Sequence, residues 1–390
     1  LKKILVFPLL DSLPSGHHQV ANTIMDYVAT RSSTIECKKI DILNSWSPTL
    51  ESVITKSYLQ WIQRFPKSYA MVYKILAHQT KQHRSYKHYE IIFSKKLRQI
   101  IAEESPDLII CTHAFPSYLV NRLKKIGACD VPVLNIYTDF FMNDVWGKEM
   151  IDYHFVSDVW MKGDLMNIYR IPEQKIFVTG IPVDEQFTLS NAKSQHNKQV
   201  SILLSGGSAG LGNIKDLFEK VKSDERIKLY VLCGNNQKLF ESLLSLNNSN
   251  IQPLPYISSR KEMNQLYNMV DAIITKPGGV TVSEAIKKKL PIFIHSALPG
   301  QEEINLKHLI DRGIVFMLDQ KKNIGDQIIK VLSNQPKVIQ NNRLIERYVN
   351  SQQLNDPNDI YEFIVSVLDK SGRTSHIATK HELLNKPLQV

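Results

Sequence analysis

Short apolar runs alternate along this chain with longer stretches of helical period, and that alternation leaves few folds open. A strand inside a parallel sheet is buried on both faces, so it reads as a continuous apolar run, and its return to the next parallel strand needs a crossover helix. Runs at residues 4–10, 108–112, 133–137 and 154–156 make a first series; a second begins near Lys175 with 176–179, 201–204, 228–232, 272–275 and 291–295. The pattern predicts βαβ units around parallel sheets. Gly180-Ile-Pro-Val-Asp184 and the polar stretch 190–199 punctuate the chain between the series. The expected architecture is α/β, with two Rossmann-like doubly wound domains at 1–178 and 179–345. A helical segment at 346–370 and a polar, weakly periodic tail at 371–390, expected to be mobile, follow. A length of 390 residues suits two domains better than one. Doubly wound domains hold ligands at the carboxyl ends of their strands, so the two are expected to face a shared cleft.

The bulk numbers narrow the partners. A hydrophobic content of 43% and a charged content of 22% are ordinary for a globular protein, but a net charge of +10 is not. It points to anionic partners: nucleic acid, an anionic lipid surface or a phosphorylated ligand. Cys37, Cys111, Cys129 and Cys233 lie far apart with no CxxC, which argues against a disulfide framework or a zinc site and fits a reducing cytosol. Residues 1–10 read as a first buried strand and not a signal peptide, since Pro8 breaks the run and Asp11 ends it. No stretch approaches the roughly 18 to 20 apolar residues of a membrane span, so membrane contact is expected to be peripheral.

Two glycine turns carry the chemistry. Leu203-Leu-Ser-Gly-Gly-Ser-Ala-Gly-Leu-Gly212 reads as strand, loop and helix start. Glycines let the backbone approach a ligand, and the free N–H groups of a helix start favour a phosphate. Gly207 and Ser208 are its candidate donors, and the competing reading is a tight strand–helix turn that simply needs small residues. The loop is neither GxGxxG nor a P-loop, and the strand at 228–232 runs into Cys233-Gly234-Asn235, without the acidic residue a dinucleotide site requires. Ala272-Ile-Ile-Thr-Lys-Pro-Gly-Gly-Val-Thr-Val-Ser-Glu-Ala-Ile286 repeats the logic, with Gly278 and Gly279 in the turn and a helix expected from near Thr281. Glu284 has two readings. Its carboxylate can accept both hydroxyls of a ribose, or Thr281-Val-Ser-Glu284 is a capping box in which it satisfies a free backbone N–H. Lys276 is equally a phosphate contact or a solvated loop charge.

With both turns placed, the chain resembles glycosyltransferase family 28, which includes MurG, monogalactosyldiacylglycerol synthases and bacterial processive diacylglycerol glucosyltransferases. The residues that carry the resemblance are Ser15-Gly-His-His-Gln-Val-Ala21, Thr138-Asp-Phe-Phe141 with Trp146, Thr179-Gly-Ile-Pro182, Leu204-Ser-Gly-Gly-Ser208, Thr275-Lys-Pro-Gly-Gly279 with Glu284, and Pro299-Gly-Gln-Glu302. They stand in family order from about residue 1 to 315. Ser15, where relatives often carry Gly or Asn, and the added His18 depart from the pattern.

The resemblance implies a GT-B fold and an inverting transfer of a hexose, glucose in the first instance, from a UDP-sugar to a membrane lipid acceptor such as diacylglycerol. The alternatives are MurG-like transfer to a polyprenyl-linked acceptor, or a non-catalytic UDP-sugar sensor. It implies Ser208, Gly278 and Gly279 near the diphosphate, Glu284 at the ribose, the backbone around Ile257 at the uracil, and Gln301 and Glu302 on the sugar hydroxyls. Inversion needs one base for the acceptor hydroxyl, a role that suits histidine. His17 is the first choice, with His18 and His113 as alternatives. Asp139 either orients the base or caps the turn after its strand. Asp139 and Asp144 have the wrong spacing for a DxD metal motif, so no catalytic metal and no cofactor are expected.

Residues 53–97 mix bases (Lys56, Arg64, Lys67, Lys74, Lys81, Arg84, Lys87, Lys95, Lys96) with aromatics (Tyr58, Trp61, Phe65, Tyr69, Tyr73, Tyr86, Tyr89, Phe93), with Glu90 the sole acid. Aromatic rings prefer the lipid interface and bases an anionic surface. Trp61, Phe65 and Lys67 are therefore candidate membrane contacts, and His113 a candidate on the acceptor side. The competing expectation is a helical hairpin packed on the first domain with a solvated basic face. Nucleic acid is discounted, because no recognition motif accompanies the charge. The expected location is cytoplasmic, peripheral on the inner face of the cell membrane.

Overall fold

The computed structural model describes residues 1–13, 15–77, 87–187, 199–206 and 214–371, and the chain divides into two compact units. Leu1–Pro182 with the chain from Ser351 onward forms the first, and Val183–Asn350 the second. The first unit runs β1 (Lys2–Phe7), α1 (Gly16–Ala29), β2 (Ile35–Lys39), α2 (Ile42–Trp46), α3 (Pro48–Arg64), α4 (Pro66–Ala77), α5 (Lys87–Glu104), β3 (Leu108–Cys111), α6 (Ala114–Lys125), β4 (Val133–Ile136), β5 (Tyr153–Val156), α7 (Val159–Asn167) and β6 (Ile176–Val178). Its sheet is parallel, in the order β2-β1-β3-β4-β5-β6. Ile4, Leu5, Val6 and Phe7 of β1 and all four residues of β3 are buried, as expected of strands covered on both faces.

The second unit runs β7 (Val200–Ser205), α8 (Ile214–Val221), β8 (Ile227–Leu232), α9 (Gln237–Leu244), β9 (Ile251–Leu254), α10 (Arg260–Met269), β10 (Ala272–Thr275), α11 (Gly279–Lys287), β11 (Ile292–Ile294), α12 (Gln301–Asp311), β12 (Val315–Met317), α13 (Ile324–Leu332) and α14 (Gln335–Asn350). Its sheet is also parallel, ordered β12-β11-β10-β7-β8-β9.

The run at 176–179 does not open the second series; β6 pairs with β5 and closes the first sheet. The chain from Ser351 returns to cover that edge. Val178 N–H donates to Gln353 Oε1 (3.0 Å), and Gln353 N–H donates to the Val178 carbonyl (2.6 Å). Helix α15 (Pro357–Ser371) then seats Phe363 against Phe177 (centroids 4.6 Å apart), Tyr153 (5.1 Å) and Phe155 (5.1 Å). An exposed strand edge invites pairing with other chains, and this return removes one. The tail expected after residue 371 lies outside the described residues.

The amino ends of both sheets share one device. Asp107, Asp152 and Asp271, each immediately before a strand, donate their N–H to the carbonyls of Lys3 (2.8 Å), Val133 (3.1 Å) and Ser201 (2.7 Å). Each takes the N–H of that same residue on its carboxylate, at 2.8, 2.8 and 2.9 Å. These two-point clamps leave the carboxyl ends as the open, functional edge.

Candidate active site

In the first unit three neighbouring strand ends converge on His17, in the first turn of α1. Thr112 follows β3 and Thr138 follows β4. The Nδ1 atom of His17 lies 3.0 Å from the Thr112 carbonyl oxygen and 2.7 Å from Thr138 Oγ1, while Thr112 Oγ1 donates to the His17 carbonyl at 3.0 Å. A carbonyl only accepts, so Nδ1 carries the ring proton and Nε2 keeps its lone pair. Burial holds the pKa below the ordinary 6.5, opposed by the Asp139 carboxylate and the Thr112 carbonyl and assisted by His18. The imidazole is therefore neutral at pH 7, with Nε2 as a base.

The other two candidate histidines make different contacts. His113 is the N-cap of α6: its Nδ1 accepts the Phe115 N–H at 3.1 Å, its ring stands edge-on to His17 with centroids 4.7 Å apart, and burial holds it well below its usual pKa. His18 is buried and donates from Nε2 to the Leu9 carbonyl at 3.1 Å. The segment before α1 is pinned further by Asp41, which accepts the Asp11 N–H at 2.8 Å, and by Glu51 of α3, which accepts the N–H (3.2 Å) and the hydroxyl of Ser12. Asp139 is half-buried; its charge raises the pKa of His17 and of Tyr69 and Tyr73 on α4. Phe140, Phe141 and Trp146 are buried, Trp146 against Tyr137 at 4.5 Å, and are scaffold.

The basic, aromatic segment is the α3–α4 hairpin and α5, and most of its described rings face inward. Tyr69 is buried against Tyr58 (5.9 Å), Trp61 (5.7 Å) and Tyr73 (5.9 Å), and Trp61 Nε1–H donates to Ser68 Oγ at 2.8 Å. Phe93 is buried between Trp46 (5.2 Å) and Phe115 (5.4 Å). Phe65, between the two helices, is 63% exposed, and Val53, Lys56, Arg64, Lys67 and Met71 of the same hairpin are exposed as well. The two expectations for this segment thus divide by face: a packed aromatic interior and a basic surface studded with apolar side chains. Lys81, Arg84 and Tyr86 lie outside the described residues, as do the side chains of Lys74, Lys87 and Tyr89.

In the second unit, Gly207 and Ser208 lie outside the described residues, immediately beyond β7. The Lys-Pro-Gly-Gly turn is described. Helix α11 begins at Gly279 with Gly278 as its N-cap and no side-chain cap, so the first-turn N–H groups of α11 receive none of the capping that a Ser or Asp would give. The N-cap lies three residues earlier than the capping-box reading requires, at Gly278 instead of Thr281. Thr281 is therefore inside the helix and Glu284 is beyond its first turn, out of reach of the N-cap. Glu284 instead accepts the Tyr267 hydroxyl at Oε2 (2.8 Å), and burial pushes its pKa up to about 7. Arg260 NH1 stands 4.0 Å from Glu284 Oε1, and Arg260 Nε 3.7 Å from Asp184.

Ile257 is half-buried in the loop between β9 and α10. Gln301 and Glu302 open α12, where Glu302 Oε2 accepts the Leu298 N–H at 2.6 Å and Oε1 lies 3.9 Å from Lys276 Nζ. Lys276 is buried, with its pKa lowered by burial, so it is not a solvated loop charge. Tyr267, Arg260, Asp184 and Thr112 went unread in the sequence. Their relevance comes from which helix or strand end lies beside which, and no local pattern marks it.

Among the described residues no group of three His, Cys, Asp or Glu side chains is placed to hold a metal ion. No described helix is long and apolar enough to cross a membrane.

Two parallel sheets of this kind, one in each unit, have the GT-B fold, and the family models and relatives place the chain among the glycosyltransferases. The chain belongs to glycosyltransferase family 28. Residues 17–183 match the monogalactosyldiacylglycerol (MGDG) synthase model and 201–355 the family 28 C-terminal domain. It is 43% identical over 317 residues to the uncharacterised glycosyltransferase YkoN of Bacillus subtilis (strain 168), covering 81% of this chain and 84% of that one. It is 28% identical over 347 residues to the processive diacylglycerol β-glucosyltransferase of Bacillus pumilus (strain SAFR-032), covering 86% and 88%. Among solved structures, MurG of Acinetobacter baumannii aligns with a TM-score of 0.55 at 19% identity over 95% of this chain and 100% of that one, a likeness of fold.

Proposed function

We propose that this glycosyltransferase moves a hexose, glucose in the first instance, from a UDP-sugar to the hydroxyl of a membrane glycerolipid such as diacylglycerol, with inversion at the anomeric carbon. The named relatives that act on diacylglycerol support the acceptor class. The observation that carries the chemistry is the commitment of His17 Nδ1 to the Thr112 carbonyl. It leaves Nε2 to take the proton of the acceptor hydroxyl as that oxygen bonds to the anomeric carbon. The bond from that carbon to the diphosphate oxygen breaks, and UDP leaves with the electron pair. Asp139 stabilises the imidazolium that forms, as its pKa-raising effect on His17 requires. Backbone amides at the start of α11 take up charge on the departing diphosphate, and no catalytic metal is needed. The 3.9 Å approach of Lys276 Nζ to Glu302 Oε1 supports a role for Lys276 in orienting Glu302 toward the sugar. The enzyme works peripherally on the cytoplasmic face of the membrane.

The test is a panel of UDP-sugars with diacylglycerol in anionic vesicles, read by product mass, with chelator added in one arm. A hexosyl-diacylglycerol that still forms in chelator is expected; product on a polyprenyl-linked acceptor alone would move the enzyme to the other branch. His17→Ala is expected to lower turnover by about 10²- to 10⁴-fold with UDP affinity nearly unchanged. Unaltered turnover would remove His17 as the base.

A further inference from the structure

Glu284 is held by side chains from other segments of the second unit, and none of them belongs to a glycine turn. Tyr267 of α10 is buried, its ring edge-on to Phe187 at 5.6 Å, and it donates to Glu284 Oε2 at 2.8 Å. Its phenol is held well above its usual pKa by burial and by Glu284, so it stays a donor across the working pH range. Arg260, first residue of the same helix, spans from Glu284 (4.0 Å) to Asp184 (3.7 Å). Asp184 is buried and fixed in turn by the Gln186 N–H, which donates to Oδ1 at 2.9 Å.

Burying a carboxylate costs free energy unless it is paired and hydrogen-bonded. A purely structural position here would be filled at less cost by Gln, which also accepts from a phenol. A hydrogen bond donated to a carboxylate favours its ionised form, as does a nearby guanidinium. Tyr267 and Arg260 act on Glu284 in that direction, burial acts against them most strongly, and Asp184 acts against them too. Tyr267 occupies one oxygen and leaves lone pairs on the other.

We propose that Tyr267 and Arg260 are positioning residues for nucleotide binding, holding the Glu284 carboxylate ionised and oriented to accept both ribose hydroxyls, with Asp184 anchoring Arg260. The inference rests on the ribose role of Glu284. It makes nucleotide affinity depend on the ionisation of one buried carboxylate, and the sign follows. The folded pKa of Glu284, about 7, exceeds its ordinary 4.5. Its proton therefore stabilises the unliganded fold, and that contribution is lost as pH rises through the folded value. A ligand that binds the ionised form is held more tightly over the same interval.

Calorimetry of UDP binding to the full chain, from about pH 5.5 to 9, tests this with Tyr267→Phe, Arg260→Gln and Glu284→Gln alongside the wild type. The ionisation of the UDP terminal phosphate near ~6 is common to all four proteins, and the Glu284→Gln curve supplies that baseline. Wild-type affinity is expected to rise with pH and level off above neutrality. Tyr267→Phe is expected to approach wild-type affinity at high pH, with its midpoint displaced upward by about one unit. It should then bind UDP roughly three- to tenfold more weakly near neutrality. Arg260→Gln should shift the same way, and it carries the test if Tyr267→Phe fails to fold. Glu284→Gln should bind weakly, with no rise beyond the phosphate baseline. If Glu284→Gln weakens binding while Tyr267→Phe and Arg260→Gln keep the wild-type midpoint, the positioning role is overturned and the ribose role stands. If Glu284→Gln binds UDP like the wild type, the ribose role falls and takes this inference with it.

Discussion

Gly278 has φ −81° and ψ 138°, a conformation any residue adopts, and a Cβ added there would meet nothing within 4 Å. Neither backbone freedom nor packing demands a glycine here, although glycine is a better N-cap than alanine. Gly278→Ala is expected to leave stability within about 1 kcal/mol, since alanine is a poorer N-cap but stiffens the unfolded chain. If the proposed donor site is right, it should weaken UDP binding by about tenfold or more, because the added methyl group would crowd a diphosphate approaching the amides of α11. Thermal melts and calorimetry on the same preparation check both halves; unchanged UDP affinity would show that no phosphate comes to this turn. His17 gives the residue scale its second test. Its pKa is held below 6.5, so kcat is expected to fall only as pH drops beneath that value. On the proposed ribose role, the dependence set by Glu284 is expected to centre near 7 and to appear in KM. A pH series that measures kcat and KM separately distinguishes the two groups, and an acid limb of kcat above 6.5 would disqualify His17.

At the scale of elements, the strands read from the sequence are those covered on both faces. β1, β3, β4, β5, β7, β8, β10 and β11 are interior strands and appear as apolar runs. The unread strands β2, β9 and β12 all lie at sheet edges. The sequence of β2, Ile-Glu-Cys-Lys-Lys, alternates too little and exposes too much to announce a strand, and β9 contains Pro253. Strand β6, another edge, shows as a run, but assigning it to a sheet needed the pairing with β5. The site divides likewise. His17, the glycine turns and Glu284 sit in motifs at strand ends, while the partners that set their protonation arrive from distant segments. The aspartate clamps offer a test of what fixes these sheets. Asp271→Ala should leave the Ser201 N–H unpaired and cost the second unit about 1–3 kcal/mol, and Asp271→Asn, which restores an acceptor oxygen, should recover much of it. Denaturant melts that give the two variants equal stability would show that the side-chain bond contributes nothing beyond the backbone one.

For the molecule as a whole, the net charge of +10 favours anionic surfaces, and among the described residues the α3–α4 hairpin is one place that carries both exposed bases and exposed apolar side chains. Its interior is closed by Tyr58, Trp61, Tyr69 and Tyr73, so removing its outer charges does not open it. Glu51, at the start of α3, also holds Ser12 in the segment leading to His17, so the hairpin and the proposed base share one support. Each base near an anionic bilayer contributes roughly 1 kcal/mol. Replacing Lys56, Arg64 and Lys67 together by Ser is therefore expected to weaken binding to anionic vesicles by about 10²-fold, with the melting curve unchanged. Salt should weaken the wild type in the same direction, because exposed charges are screened over a Debye length of about 8 Å at physiological ionic strength. Phe65→Ala should weaken binding without altering its salt dependence, because a ring buried in the lipid interface carries no charge. Co-sedimentation with vesicles of graded anionic content measures all three. Binding that ignored both salt and lipid charge would leave the basic surface without a membrane role and would confine lipid contact to the acceptor itself.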